Sequence, residues 1–341
     1  MPQHKVLFVT QRGQRHQQAA LDAAPPEFEI TMRRTTDKAE IVGLLPEAEF
    51  FVSERAGVID ADIIAAGRNL RLIQRLGSQV WDIDTEAAKR AGIPVCYWPV
   101  RTCVFVAEHM TMQMIALARR IREMMKITSE AADWGQKSER GDEDHFAYNW
   151  SGRQNIGALW RATVGIVGFG EIGTELARRL KGFESRVLYH KRQRLPARAE
   201  AELNLTYAAS RDELIAPSDF VCSLLPYSKE NDQTLSTAFF AAMKPDAIFV
   251  HCGSGAVVDE AALIEALRSG HLAGAALDTY TWEPLRADDP LLELARDPMV
   301  NLILTPHIGS GVIAAHRSER ADDYTNLKAL LSGGEVRYRL V

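Results

Sequence analysis

Over the first hundred residues, apolar positions cluster in short runs at 5–10, 28–32, 48–53, 71–75 and 93–97. Between them lie stretches whose apolar residues recur at helical spacing, such as 58–67 and 84–91. Short runs bounded by turn residues read as buried strands, and their alternation with helices predicts a βα series around a parallel sheet. A second series follows from mid-chain, with strands near 186–190, 219–224, 246–250, 273–277 and 301–304. Its helices include 259–268, where Ala262, Leu263, Ala266 and Leu267 form one apolar face. The stretch from about Ala314 to Leu331 is a further helical pattern with no place in the second alternation, so it is expected to return to the first. The expected fold is therefore α/β, with two doubly wound parallel-sheet domains, the second inserted into the first, and a cleft between them. Crossings are expected near 102–120 and 307–315. Segment 133–157 is polar and aperiodic and reads as a long loop, a candidate lid.

The junction at mid-chain carries the sharpest signal. Residues 163–173 read Thr-Val-Gly-Ile-Val-Gly-Phe-Gly-Glu-Ile-Gly, an apolar run that breaks at Gly168, Gly170 and Gly173. Ile172, Leu176, Ala177 and Leu180 then recur at helical spacing. In a strand-turn-helix setting, the first glycine makes the turn, the second admits a pyrophosphate and the third lets helix and strand pack. The helix N-terminus then faces the phosphates with free amides. The next strand ends in His190-Lys191-Arg192-Gln193-Arg194, where a site for NAD would place a carboxylate. Lys191, Arg192 and Arg194 suit a 2′-phosphate instead, which favours NADP over NAD; a solvated basic loop tip is the competing reading.

At 341 residues, with 46% hydrophobic and 25% charged residues, the chain is ordinary for a globular protein and too long for one core. A net charge of −5 speaks against nucleic acid as a partner. Met1 leads almost directly into the first strand, with no charged region followed by an apolar one. The longest apolar stretch, about 105–118, contains Glu108 and His109 and is too short for a membrane span. These features predict a cytoplasmic protein with no membrane partner. Cys96, Cys103, Cys222 and Cys252 lack CxxC spacing, so reduced thiols are expected and no metal site.

Further motifs stand in order along the chain: Arg75-Leu76-Gly77-Ser78, Val106-Ala107-Glu108-His109, Met243-Lys244-Pro245, Val258-Asp259-Glu260, Gly274-Ala275-Ala276-Leu277-Asp278, Glu283-Pro284-Leu285 and Leu304-Thr305-Pro306-His307-Ile308-Gly309. With the glycine turn, they make nearly the whole chain resemble the D-isomer-specific 2-hydroxyacid dehydrogenases, the family of glyoxylate and hydroxypyruvate reductases and of phosphoglycerate and formate dehydrogenases. The resemblance implies a Rossmann dinucleotide-binding domain, 103–307, inserted into a flavodoxin-like substrate domain, 1–102 and 308–341. It also implies a homodimer formed through the helix at about 106–118, and hydride transfer between nicotinamide and a 2-oxo or 2-hydroxy acid. His307 matches the acid/base histidine and Glu283 the carboxylate on its other nitrogen, an arrangement that stabilises the imidazolium and keeps a proton available. Asp278 matches the group that holds the nicotinamide carboxamide. Gly168, Gly170, Glu171, Ile172 and Gly173 would hold the pyrophosphate, Lys191 and Arg192 the adenosine ribose end, and Leu225, Pro226, Cys252 and Gly253 would line the coenzyme. Ser78 and Gln79 fall in the loop that holds the substrate carboxylate with backbone amides. His109, within an apolar helical pattern, reads as a core or interface residue.

One motif departs from the family. Where relatives read Asn-Thr-Ala-Arg-Gly, this chain has His251-Cys252-Gly253-Ser254-Gly255. Ser254 offers one neutral donor in place of a guanidinium with two parallel ones. Losing such a contact costs about 2 to 5 kcal/mol, or roughly thirtyfold to several thousandfold in activity. Three readings stay open: Arg101 supplies a substitute; the substrate lacks the usual carboxylate and Ser254, His251, Tyr97, Trp98 and Trp282 shape a different pocket; or catalysis is lost and a dinucleotide-binding regulator or scaffold is left. Retention of His307 with Glu283 weighs against the last. The glycine usual after Ser78 is Gln79, and Leu159-Trp160-Arg161-Ala162 stands where Gly-Lys is usual.

Overall fold

A computed structural model describes residues 4–55, 57–130, 135, 137–311 and 320–341. The chain divides into two compact units, Met1–Phe105 with Ser310–Val341, and Val106–Gly309.

The first unit is built on five parallel strands, β1 His4–Thr10, β2 Phe28–Arg33, β3 Phe50–Glu54, β4 Leu72–Leu76 and β5 Val95–Trp98, in the order β2-β1-β3-β4-β5. β1, β3 and β4 are buried along nearly their whole length because both sheet faces are covered. Leu7, Val9, Phe51 and Ile73 enter one core, while Val6, Phe8, Phe50, Val52 and Leu72 enter the other. Tyr324 and Leu327 belong to that second core; Tyr324 stacks on Phe28 and donates its hydroxyl to the Ala20 carbonyl at 2.7 Å. Three helices in this unit, Lys38–Leu44, Ala61–Ala66 and Thr85–Arg90, start where Asp37, Asp60 and Asp84 accept an amide three residues on.

The second unit carries seven parallel strands, β6 Thr163–Val167, β7 Arg186–His190, β8 Leu205–Tyr207, β9 Phe220–Ser223, β10 Ala247–His251, β11 Leu272–Leu277 and β12 Leu302–Leu304. Their order is β12-β11-β10-β9-β6-β7-β8. β8 escapes the sequence pattern because it is a three-residue edge strand paired only to β7, with only Leu205 buried. Each sheet reverses its winding once, at β1/β3 and at β6/β9. Open α/β sheets bind ligands outside the carboxyl ends of their strands at such reversals.

The expected helix 314–331 is described only from Arg320, as a 3-10 turn, Arg320–Tyr324, followed by helix Thr325–Leu331; the part within 312–319 lies outside the described residues. Of the expected loop 133–157, residues 133, 134 and 136 also lie outside them, and 137–157 hold no helix or strand.

Candidate active site

β6 ends in a turn that only glycine can make. Gly168 has φ +86°, and a Cβ there would sit 2.9 Å from the Leu224 carbonyl carbon and 3.0 Å from the Leu225 nitrogen. Gly170 precedes helix Glu171–Lys181 with no side-chain cap, and space is open where its Cβ would stand. The first amides of that helix have no partner within it, so the turn presents donors to an anion. A Cβ on Gly173 would meet the Phe169 ring at 3.1 Å. These features fit a dinucleotide pyrophosphate.

At the end of β7, Lys191 is half-buried; burial holds its ammonium below the usual lysine value, against the opposing pull of the Glu171 carboxylate. Arg192 is exposed. Arg194 is committed elsewhere, with Nε and Nη2 each donating to Glu200 at 2.8 Å and its guanidinium over the Tyr207 ring.

The loops after β9 and β10 interlock. A Cβ on Gly253 would meet the Leu225 carbonyl oxygen at 2.6 Å, and the Ser254 amide donates to that oxygen at 2.9 Å. Ser254 Oγ accepts the Tyr227 amide at 2.9 Å, so this hydroxyl clasps the loop that carries Leu225 and Pro226. Cys252 is buried, its thiol 3.6 Å from Gln113 Oε1. His251 is fully buried and stacked on Phe249. Both its ring nitrogens, and Oγ of its cross-strand neighbour Ser223, lack a partner among the described residues. Burial pushes the imidazole down to about 4, so His251 is neutral near pH 7.

His307 follows β12 on a turn where it takes φ +52°, a left-handed conformation that histidine tolerates better than most residues. Its Nδ1 lies 2.7 Å from Glu283 Oε2, while Glu283 Oε1 accepts the Tyr280 amide at 2.9 Å. The carboxylate is thus fixed at both oxygens, and it orients a half-exposed imidazole with Nε2 left for chemistry. Asp278 is buried beside this turn. Its Oδ1 accepts Thr305 Oγ1 at 2.6 Å and the Ile308 amide at 3.0 Å, and Oδ2 accepts the Gly309 amide at 2.8 Å. His109 Nε2 reaches Thr305 Oγ1 at 3.0 Å and stands 3.4 Å from Asp278. Its helical apolar pattern gave no sign of this polar contact.

In the first unit, Ser78 is buried and Gln79 half-buried on the loop after β4. Arg75, part of the motif before them, is a buried structural residue: its guanidinium bonds Asp82 and the Gly57 carbonyl within the unit. Arg101 opens helix Arg101–Ala118, with Nη1 3.5 Å from Asp322. It lines a cavity of about 280 Å³ together with Arg12, Glu54, Arg55, Arg320 and Asp323. No group of three or more metal-ligating side chains gathers among the described residues.

The sequence profile of the D-isomer specific 2-hydroxyacid dehydrogenase NAD binding domain matches residues 111–309, which contain the glycine turn and the His307–Glu283 pair. The chain belongs to the D-isomer specific 2-hydroxyacid dehydrogenase family. It is similar to the glyoxylate reductase of Pyrococcus furiosus, 32% identical over 86% of this chain and 83% of that protein. Similarity to the D-3-phosphoglycerate dehydrogenase of Mycobacterium leprae is 30% over 93% of this chain and 55% of that one. The chain spans about half the length of the phosphoglycerate dehydrogenases it matches. Among solved structures, the TT0316 protein of Thermus thermophilus is similar with a TM-score of 0.53 at 29% identity, over 99% of this chain and 100% of that one.

For a member of this family, the site holds residues that motif reading passes over. Tyr280 supplies the amide that fixes Glu283, and its hydroxyl donates to the carbonyls of Leu277 and Thr305 at 3.1 and 2.8 Å. Thr305 bridges His109 and Asp278. Arg12 and Arg55 follow β1 and β3 with nothing around them in sequence to mark them as a pair. Only the parallel pairing of those strands brings them together.

Proposed function

We propose that the chain is an NAD(P)-dependent oxidoreductase that interconverts a 2-oxo acid, or a related small carbonyl compound, and its 2-hydroxy form. The observation that carries this reading is the 2.7 Å bond between His307 Nδ1 and Glu283, on the same unit as the glycine turn. With Nδ1 engaged, Nε2 is the atom that gives a proton to the substrate oxygen in reduction and takes it back in oxidation. The nicotinamide coenzyme, when bound, supplies or accepts the hydride.

Gly168, Gly170 and the amides of Glu171, Ile172 and Gly173 hold its pyrophosphate in this proposal, with Leu225, Pro226, Cys252 and Gly253 along its flank. Asp278 is assigned to the nicotinamide carboxamide and also anchors the turn that carries His307. NADP is the proposed coenzyme: Lys191 and Arg192 stand where a carboxylate would repel the 2′-phosphate, and nearby Glu200 is neutralised by Arg194. Ser78, Gln79 and Arg101 are assigned to the acid, carried by the first unit. Ser254 completes the proposed site on the second unit, where it secures the loop beside the coenzyme.

The proposal extends to a homodimer, supported by Met112 and Ile115 exposed on helix Arg101–Ala118 and Ile121 and Met125 on helix Ile121–Ser129. It also extends to the cytoplasm, in keeping with four buried thiols held in no disulfide, of which burial pushes Cys96 up to about 11. No helix among the described residues is long and apolar enough to cross a membrane.

The test is nicotinamide absorbance with NADPH or NADH across 2-oxo acids, aldehydes and ketones. Turnover that His307→Ala abolishes is the expected result. Coenzyme binding without turnover across the panel would instead make the protein a dinucleotide-dependent regulator.

A further inference from the structure

The first sheet reverses its winding between β1 and β3, and Arg12 and Arg55 stand just beyond the carboxyl ends of those two strands. Thr10 and Glu54 are register partners, so the two arginines leave the sheet side by side. Arg55 is held at φ +52°, which a non-glycine residue keeps only where its surroundings enforce it. Neither arginine makes an ion pair among the described residues; Arg12 Nη2 reaches only the His16 ring at 3.1 Å, and Arg55 Nη2 the Cys103 sulfur at 3.8 Å.

The nearby carboxylates are already engaged. Glu54 accepts Arg320 at 2.6 Å and Thr10 at 2.6 Å, Asp323 lies 2.9 Å from Arg320, and Asp322 pairs with Arg101. Among the described residues, four guanidiniums therefore face three carboxylates in and beside a 280 Å³ cavity. Burial and then the Arg55 cation push Arg12 below the usual arginine value; burial and then Arg12 do the same to His16. Like charges crowded at a partly buried opening repel, and an anion that arrives there relieves the repulsion. A purely structural pair of arginines would repel; two forks converging on one opening match a planar carboxylate.

We infer that this cavity of the first unit is an anion subsite in which Arg12 and Arg55 hold a carboxylate of the substrate. The identity of the anion as substrate rests on the oxidoreductase reading, whereas the existence of the subsite does not. The carboxylate is either that of the 2-oxo acid group or a second one farther along the molecule.

Two measurements decide. In the first, oxalate is titrated at constant ionic strength while the melting temperature is followed, with and without NADPH. Saturable stabilisation of the wild type that is lost in Arg12→Gln/Arg55→Gln is expected; no saturable stabilisation, or the same in the variant, overturns the subsite. This arm decides even if no carbonyl compound is turned over, so failure of the activity reading stays distinguishable.

In the second, kcat/KM is compared for a 2-oxo acid, its amide and a 2-oxo dicarboxylate. Each single Gln variant should lower kcat/KM for the bound acid roughly 10- to 100-fold, mainly through KM, with Arg55→Lys recovering part of the loss. A preference for acid over amide that collapses in the variants identifies the 2-oxo acid's own carboxylate. A preference for the dicarboxylate that collapses identifies a second one. Preferences unchanged by the variants refute the assignment. Arg12 is only part-buried and Arg55 exposed, so truncation spares the core, and coenzyme affinity reports that each variant is folded.

Discussion

Replacing His251 with phenylalanine tests the physical account of the loop that carries Gly253 and Ser254. The imidazole is fully buried, with neither ring nitrogen partnered among the described residues, and burial lowers it from 6.5 to about 4. Because the folded value lies below the unfolded one, the unfolded chain takes up the proton first as the pH falls. Stability is therefore complete above pH 6.5, declines as the pH drops toward 4, and changes no further below that through this group. At about 1.36 kcal/mol per pH unit, the loss across the window is about 3 kcal/mol. Phenylalanine keeps a ring against Phe249 and has nothing to titrate. Urea unfolding followed from pH 7.5 to 4.5 should show the wild type losing about 2 to 3 kcal/mol more than His251→Phe. Parallel curves for the two proteins would refute the reasoning, because they would mean the ring is solvated or hydrogen-bonded in the folded state.

Gly168→Ala places a Cβ 2.9 Å from the Leu224 carbonyl carbon at a φ of +86°; coenzyme affinity, read by nicotinamide fluorescence, should fall by roughly tenfold or more, with a stability loss of about 1 to 3 kcal/mol. Glu283→Gln keeps the shape of the His307 contact but removes its charge, so kcat should drop roughly 10- to 100-fold while coenzyme affinity holds; an unchanged kcat would remove Glu283 from the mechanism. The double change Lys191→Ala/Arg192→Ala should weaken NADPH roughly tenfold or more and NADH little, as measured by titration with each. Equal losses for both would end the case for a 2′-phosphate site.

Much of this protein is legible in one dimension because its signals are local. Buried strands are short apolar runs, so β1 to β5 and most of the second sheet stand out in the sequence, and the turn after β6 stands out as glycines between an apolar run and a helical pattern. His307 and Glu283 are readable as a pair only through their motifs and the resemblance those carry. Tertiary structure decided the rest. Asp278 became an anchor of the His307 turn because backbone amides and Thr305 converge on it, and Ser254 became a clasp because Tyr227 lies above it. Arg194 was lost to Glu200, and His251 was stripped of water by packing that no single segment specifies. Arg12 and Arg55 are neighbours only because β1 and β3 pair in register across the winding reversal. Charge acts through space, while periodicity acts along the chain, so the strands could be read in order and the cation cluster could not.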